Sequence, residues 1–590
     1  MNTPLSSPPR PATDLRRVAM LFSGGPAPAA NAVIASAAAC FSRNGIEVLG
    51  ILDGYSNLAK YDPKTPLAEG TAYVRLDHKS LEGARTSQGI LIGTSRANPG
   101  KDVRKPDDLN DAKRTSPLRT TYDALLSLGV DALISIGGDD TLTTAAKFKL
   151  FQDRLPPERK RIRIVHLPKT IDNDYKGIDF TFGYFTAVEM MATEINNLLN
   201  DSRSTGTYYI AQTMGRAAGW LAYGAAIGGE ASLVIGLEDI PAAWKSSQAA
   251  FDPSTGKDLR DAKGELVMRE VFDVRAIVGR IVDTIQARDA EGKKYGVIVV
   301  AEAMAEFLPQ AELRECLSES AYKALKPDPF GHFPVSQLKF TGRLSSLVAA
   351  EYKRRTGKER KVVGLQFGYE VRCHKPTAFD VILGSQLGVG AYRALAERNL
   401  SGVMVSVSGQ LGLLFPPFEE LIDYQRLRAH SRPVDPKEDF HQLARYLEAR
   451  VEEEVQGSGS ERGGAPELTP AEHQKLMKKL GVTKEQDEAW HKARGPAPEL
   501  TPAEHQKLMD KLGVTKEQEE AWHKAQGMPI PKQDTPQQAL RPLNPFAVGG
   551  GFLAYCVKQG WLVQEGAGRQ ARYSATDEGT QKLKEFGINL

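Results

Sequence analysis

The chain has 590 residues, a hydrophobic content of 41%, a charged content of 25% and a formal net charge of +3. This length predicts three or more structural units, and the composition is typical of a globular protein with a large core. The balanced charge argues against nucleic acid or a membrane surface as a partner of the whole chain, and no apolar run is long enough to span a bilayer. Four scattered cysteines without metal-ligand spacing are typical of a reducing, cytoplasmic setting.

Residues 1–15 are rich in Pro and Ser and lack the apolar segment of a signal peptide, which predicts a disordered leader. From residue 16 to about residue 430, short β-branched runs alternate with helical segments, and this alternation predicts an α/β core. Residues 242–264 are polar and interrupt the alternation, so we interpret them as an insertion. A helix at 380–397 and a strand at 402–407 complete the predicted core.

Three predicted strands end in turns that carry glycines or charged residues. The strand at 17–22 is followed by Gly24-Gly25, the strand at 132–136 by Gly137-Gly-Asp-Asp140, and the strand at 161–167 by PKTIDND, residues 168–174. Glycines between a strand and a helix let the backbone approach an anion, and carboxyl ends of parallel strands share one edge of a sheet. The repetition predicts one ligand site. Taken singly, the first turn also suits tight helix packing and the third an Asx-type cap.

Further polar residues follow other predicted elements. Arg96 ends a Gly-punctuated polar loop, where it is either a phosphate clamp or an ordinary surface arginine. Glu302 directly follows the apolar strand at 295–300, and its spacing alone favours a helix cap. The strands at 208–212 and 362–367 lead into Met214-Gly-Arg216 and Gly368-Tyr-Glu-Val-Arg372.

These motifs, in this order, resemble those of the phosphofructokinase family over about residues 17–424, and in particular its pyrophosphate-dependent group. The resemblance implies two Rossmann-like three-layer lobes with mostly parallel sheets, divided near residues 200–215. It implies reversible transfer of a phosphoryl group from pyrophosphate to the 1-hydroxyl of fructose 6-phosphate, in glycolysis or gluconeogenesis. It also implies Mg²⁺ as cofactor and a homodimer or homotetramer.

The resemblance assigns roles to individual residues. The catalytic set would be Asp172 as the base, with Asp174, Lys169 and Arg216. The acceptor sugar phosphate would be bound by Thr170, Ile171, Met214, Gly215, Arg216, Glu302, Tyr369, Glu370, Val371 and Arg372, with Tyr369 and Arg372 meeting the 6-phosphate end. The phosphoryl donor would be bound by Gly25, Arg96, Asp140 and Lys169, and Asp139 would hold the metal.

Two positions bear on the donor, because ATP-using relatives usually carry glycine where this chain has Asp140 and Lys169. A carboxylate at 140 would repel the α-phosphate of a nucleotide, and an ammonium at 169 would neutralise pyrophosphate. We therefore expect pyrophosphate, with ATP-dependent 6-phosphofructokinase as the alternative. Residues 204–207 lack the family's usual basic residue, and Ala303 replaces the usual glycine after Glu302. These departures leave a related acceptor such as sedoheptulose 7-phosphate open.

The remainder of the chain has a different character. Residues 431–464 suggest a linker, and residues 465–527 a duplicated helical hairpin, because 466–477 recurs at 498–509. Its histidines (His473, His491, His505 and His523) lack the usual ligand spacing of a metal site and are expected on solvated helix faces. Residues 528–590 resemble a small winged-helix unit. Binding of DNA or protein by this unit is a second class of function, and packing or dimerisation is the alternative. Arg569 and Arg572 are its only wing charges, so nucleic acid binding is not expected.

Overall fold

The computed structural model describes residues 7–215, 218–261, 263–325 and 338–451, together with the backbone of 562–565 and 572–576. The chain divides into two compact units, residues 1–453 and 454–590. Within the described residues, no helix has the length and apolarity that crossing a membrane requires.

The first unit contains eighteen strands among its described residues. In chain order they are β1 (Arg17–Ser23), β2 (Glu47–Ile51), β3 (Tyr73–Leu76), β4 (Ala132–Gly137), β5 (Arg163–Pro168), β6 (Tyr208–Thr213), β7 (Leu233–Ile235), β8 (Lys245–Ala249), β9 (Phe251–Asp252), β10 (Lys257–Asp258), β11 (Met268–Phe272), β12 (Gly296–Ala301), β13 (Val362–Gln366), β14 (Val403–Met404), β15 (Ser406–Ser408), β16 (Gly412–Leu414), β17 (Ile422–Asp423) and β18 (Arg428–Ala429).

The α-helices of the same residues are α1 (Ala30–Arg43), α2 (Ser56–Ala59), α3 (Ala112–Ser127), α4 (Asp139–Asp153), α5 (Tyr184–Thr205), α6 (Trp220–Gly228), α7 (Val274–Ala290), α8 (Gln310–Glu315), α9 (Glu319–Ala324), α10 (Phe340–Thr356), α11 (Ala378–Tyr392), α12 (Phe418–Leu421) and α13 (Asp439–Leu447). The predicted helix at 380–397 is thus shorter, because its last five residues, Arg393–Glu397, form a π-helical turn.

The first sheet has six strands in the order β14-β5-β4-β1-β2-β3. All its pairs are parallel except β2 with β3. β1 and β4 are almost entirely apolar and buried, as expected for strands that are covered by helices on both faces. The strand predicted last in the chain, now β14, joins this first sheet beside β5.

The second sheet has four parallel strands in the order β13-β6-β12-β7. Helices α5 and α6 pack against β6 and β12, while α10 packs against β13 beside α7. The chain passes from the first sheet to the second between the end of β5 and the start of β6. The protein is therefore an α/β protein with mostly parallel sheets, as the sequence predicts.

Glycines set the close packing of two helices over the first sheet. Helix α11 lies against α1, and a Cβ atom at Gly388 would lie 2.5 Å from the carbonyl oxygen of Val33. At Gly384 a Cβ atom would lie 3.2 Å from the carbonyl oxygen of Ala29. Any larger residue at 388 would push α11 away from the helix that follows the Gly24-Gly25 turn.

The polar insertion predicted at 242–264 forms small antiparallel ribbons. β9 pairs with β10, and β8 pairs with β11, which carries the ribbon on to Phe272. Phe251 is buried, with its ring 6.3 Å from that of Tyr322. The insertion therefore has apolar contacts of its own with the second lobe, the part of the first unit that is built on the β13-β6-β12-β7 sheet.

Residues 431–451, predicted as the start of a linker, instead belong to the first unit. Helix α13 packs on α6, where the rings of Phe440 and Trp220 stack with centroids 5.0 Å apart. His441 is buried with its Nε2 atom 2.7 Å from Asp239 Oδ1. The linker prediction is wrong for these residues, because a segment with a largely polar sequence is held in place by a few buried side chains.

In the second unit, β19 (Leu562–Glu565) and β20 (Arg572–Ala575) pair antiparallel, at the place of the predicted wing. The helical repeat at 465–527, its histidines and the other elements of the winged-helix-like unit lie outside the described residues.

Candidate active site

Three strand ends of the first sheet lie side by side in register. The last residue of β1, Ser23, pairs with Gly137 at the end of β4, and Gly137 pairs with Pro168 at the end of β5. The Gly24-Gly25 turn, the first turn of α4 and the PKTIDND loop therefore leave the sheet from one row. This row is the structural basis of the site that the sequence predicts.

The turn after β1 holds a second loop beside it. Gly24 has φ +92°, a left-handed conformation that favours glycine, and its N–H donates to the carbonyl of Ser95 at 2.9 Å. The hydroxyl of Thr94 donates to the carbonyl of Gly24 at 2.6 Å. These two bonds bring the next residue, Arg96, to the wall of the cavity above the strand ends.

The PKTIDND loop is fixed by a buried asparagine. Asn173 has φ 54° and is fully buried, and its side-chain oxygen accepts a hydrogen bond from the N–H of Thr181 at 3.0 Å. The hydroxyl of Thr181 donates to the carbonyl of Thr170 at 2.7 Å. With Asn173 turned inward, Asp172 and Asp174 on either side both line the cavity. The polar character of the loop thus combines an Asx-type anchor with two carboxylates that face a ligand site.

Lys169 lies over the two glycine turns. Its backbone N–H donates to the carbonyl of Gly137 at 2.9 Å, and its side chain is only 7% exposed. Its ammonium nitrogen is 3.5 Å from the position that a Cβ atom at Gly24 would take. Burial lowers the pKa of Lys169 to about 8, although the carboxylates of Asp172 and Asp139 oppose the shift. The amine is therefore a nearly dehydrated cation at the centre of the site.

Several carboxylates lie close together in the part of the site that the structure describes. Burial and the neighbouring carboxylates of Asp172 and Asp139 raise the pKa of Asp174 well above its usual range. Asp139 and Asp140 occupy the first turn of α4. Among the described residues, no three His, Cys, Asp or Glu side chains form a complete metal site. Mg²⁺ usually takes only one or two carboxylates and fills its shell with water and substrate phosphate, so this all-oxygen donor set fits it.

The second lobe supplies the opposite wall. Met214 and Gly215 follow β6 and line the cavity, and a Cβ atom at Gly215 would lie 4.0 Å from Asp172 Oδ1. Glu302, which begins a short 3-10 turn after β12, is buried and also lines the cavity. The turn after β6 therefore directly faces the predicted base.

Arg372 spans the cavity in a way that the sequence did not predict. Its guanidinium lies over the ring of Tyr369 at 4.8 Å, and one of its nitrogens is 2.9 Å from the position of a Cβ atom at Gly25. The side chain predicted at the 6-phosphate end thus reaches the donor glycine in this structure. A residue larger than glycine at 25 would require the guanidinium of Arg372 to move.

One cavity of about 370 Å³ brings most of the predicted site together. Its walls include Gly25, Arg96, Asp139, Asp140, Lys169, Thr170, Ile171, Asp172, Asp174, Met214, Gly215, Glu302, Tyr369 and Arg372. Two predicted acceptor residues do not line it: Val371 is buried, and Glu370 accepts a hydrogen bond from the N–H of Gly368 at 2.7 Å. Arg216 lies outside the described residues.

Several residues of the cavity wall were missed by the sequence prediction, among them Thr144 and Asn98. The hydroxyl of Thr144 lies 2.8 Å from Asn98 Oδ1 and 2.8 Å from the carbonyl oxygen of Asp140, and both Thr144 and Asn98 line the cavity. These contacts join the loop after Arg96 to α4. Thr144 follows Asp140 by four residues in α4, so helical spacing places both on the same face of the helix. This spacing could have predicted Thr144 as a site residue.

Glycine turns at strand ends, a buried lysine and clustered carboxylates are typical of α/β proteins that bind phosphate together with a divalent cation. A family model described as phosphofructokinase matches residues 17–395. The chain belongs to the phosphofructokinase family.

The similar proteins are named for either pyrophosphate or ATP as the phosphoryl donor. The chain is 32% identical over 441 residues to a pyrophosphate–fructose 6-phosphate 1-phosphotransferase of Thermotoga maritima, covering 74% of this chain and 91% of that protein. It is 31% identical to a protein of the same name from Naegleria fowleri, covering 73% and 88%. It is 28% identical to an ATP-dependent 6-phosphofructokinase of Chloroflexus aggregans, covering 71% and 95%.

Proposed function

We propose that the protein transfers a phosphoryl group from pyrophosphate to the 1-hydroxyl of fructose 6-phosphate, giving fructose 1,6-bisphosphate and phosphate. The observation that carries the choice of donor is the position of the Lys169 ammonium over the Gly24 and Gly138 turns, 3.5 Å and 3.9 Å from their Cβ positions. An extra fixed cation there suits a short, highly charged donor without a nucleoside. Asp140, in the adjoining first turn of α4, adds a carboxylate that disfavours the longer chain of phosphates in a nucleotide.

Asp172 is the proposed base. Its carboxylate would take the proton of the sugar 1-hydroxyl as that oxygen attacks the terminal phosphorus of pyrophosphate. The bond from that phosphorus to the bridging oxygen breaks, and phosphate leaves. Because a carboxylate is a weak base for an alcohol, proton transfer accompanies the cleavage and does not precede it.

The other residues position charge. Lys169, Arg96 and the N–H groups of the Gly24-Gly25 turn would bind donor oxygens, and Arg216 would stabilise the transferred group. Asp139 would hold Mg²⁺, which when bound neutralises phosphate charge. Thr170, Met214, Gly215 and Glu302 would orient the sugar. We further propose a homo-oligomer, since the family's sugar site is shared between subunits.

A donor and acceptor assay tests the proposal directly. The purified chain with Mg²⁺ should form fructose 1,6-bisphosphate from pyrophosphate and fructose 6-phosphate, detected by coupled aldolase. With ATP in place of pyrophosphate, we expect a rate at least about 10²-fold lower, since the donor site is built around a different charge pattern. Sedoheptulose 7-phosphate in place of fructose 6-phosphate tests the acceptor. Robust activity with ATP alone would overturn the donor assignment.

The pH dependence of kcat/KM for pyrophosphate should follow the titration of the Lys169 amine. An amine loses its charge as pH rises through its pKa, which burial lowers to about 8 here. We therefore expect kcat/KM for pyrophosphate to fall above about pH 8. In Lys169→Arg the guanidinium keeps its charge, and the fall should move to higher pH. Titration of the substrate and metal is the same for both enzymes, so an unchanged profile in the variant would exclude Lys169 as its source.

A further inference from the structure

Arg432 contacts the loop that carries the predicted base, although it lies some 260 residues further along the chain. Its guanidinium donates to the carbonyls of Ile178 at 2.7 Å, Asn173 at 2.8 Å and Asp179 at 3.0 Å. Its backbone N–H donates to the carbonyl of Asp174 at 2.7 Å. One residue therefore fixes four carbonyls of the loop and turn that follow Asp172.

The same residue also contacts the second lobe. The indole N–H of Trp220 donates to the carbonyl of Arg432 at 2.9 Å, and the guanidinium lies 4.5 Å from the centroid of the indole ring. Trp220 begins α6, five residues after Gly215 on the opposite wall of the cavity. Glu238 Oε1 strengthens the junction by accepting from the N–H groups of Gly219 at 2.9 Å and Val434 at 3.0 Å.

Arg432 does not line the cavity, so it does not touch substrate there. Its acceptors are main-chain carbonyl oxygens, and a planar guanidinium reaches three of them at once because its N–H groups point outward in fixed directions. A lysine ammonium has no such fork. Arg432 is half-buried, and taking a cation even partly out of water is costly, which argues that the geometry it imposes matters.

We propose that Arg432 is a positioning residue for phosphoryl transfer: it holds the Asp172 and Asp174 loop of the first lobe in place against the Met214-Gly215 turn of the second. This inference rests on the proposed function, because it concerns the geometry of the transfer step. A shift of about 1 Å at a reacting group is enough to lower a rate by roughly 10²-fold.

The test compares full-length Arg432→Met, Arg432→Lys and Arg432→Ala with the unchanged chain. In Arg432→Met we expect kcat to fall by roughly 30- to 100-fold, with both KM values within about threefold, because the groups that touch substrate sit on other elements. For Arg432→Lys we expect a kcat between that of Arg432→Met and that of the unchanged chain. Guanidinium ion at millimolar concentration should restore Arg432→Ala at least about tenfold, whereas methylammonium should not.

Arg426→Met is the matched control, since Arg426 lies in the turn between β17 and β18, six residues before Arg432, with its side chain 82% exposed. It should behave as the unchanged chain. All assays are run well below each variant's melting temperature. An unaltered kcat in folded Arg432→Met, or a rise in both KM values that accounts for the loss, would overturn the inference.

Trp220→Phe provides a second test if Arg432→Met does not fold. It removes the indole N–H but keeps an aromatic ring under the guanidinium, and we expect a smaller loss, confined to kcat. A normal kcat in Trp220→Phe together with a fully active Arg432→Lys would overturn the inference. If the unchanged chain uses neither pyrophosphate nor ATP, the proposed function is wrong. That outcome is distinct from a failure of the positioning role proposed for Arg432.

Discussion

Asp172→Asn should lower kcat by roughly 10²- to 10⁴-fold, the range that loss of a general base produces, while both KM values stay within about threefold. The amide is isosteric with the carboxylate but cannot accept the proton of the sugar hydroxyl. Its hydrogen bond from the backbone is unaffected, because the N–H of Asp172 donates to the hydroxyl of Thr170 at 3.0 Å. Initial rates with both substrates varied give the two parameters.

Asp179→Asn serves as the control in the same loop. Its carboxylate accepts from the N–H of Gly409 at 2.8 Å, and the amide oxygen of asparagine can do the same. This variant should keep the activity of the unchanged chain. If Asp172→Asn retained more than a tenth of the original kcat, Asp172 would not be the base.

Replacing both donor-selecting residues should change the preference for phosphoryl donor. In Asp140→Gly with Lys169→Gly, we expect kcat/KM for pyrophosphate to fall by roughly 10- to 150-fold, the equivalent of one lost hydrogen bond to a charged group. ATP should become a measurable substrate, because both the repelling carboxylate and the ammonium over the glycine turns are gone. The ratio of the two kcat/KM values is the quantity to compare.

Lys147→Met is the matched control for a buried lysine. Lys147 is also 7% exposed, and burial lowers its pKa to about 8, but its ammonium donates to the carbonyl of Gly100 at 3.1 Å and does not line the cavity. Its charge does interact with the Asp140 carboxylate, so its loss should destabilise the protein and change the donor ratio far less than the double variant does. An unchanged ratio in the double variant would mean that other residues choose the donor.

The sequence predicted those residues of the site whose positions depend on local structure alone. Each turn follows a buried strand, and the carboxyl ends of parallel strands meet at one edge, so the convergence of Gly25, Asp139 and Lys169 needed no knowledge of distant contacts. The α/β class followed from the same alternation. The position of Arg372 beside Gly25 could not be predicted, because it depends on how the two lobes face each other.

Non-local pairing explains what the sequence could not predict. The strand at 402–407 was predicted, but periodicity carries no information on its partner, and β14 pairs with β5, some 240 residues earlier. Residues 431–451 were interpreted as a linker since they are polar and proline-containing. Arg432 binds main-chain carbonyls, and a carbonyl acceptor leaves no trace in the side-chain pattern.

The pairing of β14 with β5 also has a consequence for the order of events on the ribosome. β5 and the loop after it are synthesised early, yet the strand that covers their edge and the residue that secures the loop emerge more than 230 residues later. The nascent first lobe therefore carries an exposed sheet edge while some 240 further residues are synthesised. Its active geometry forms only after release of the segment around residue 432, and such long-range closure makes folding slow.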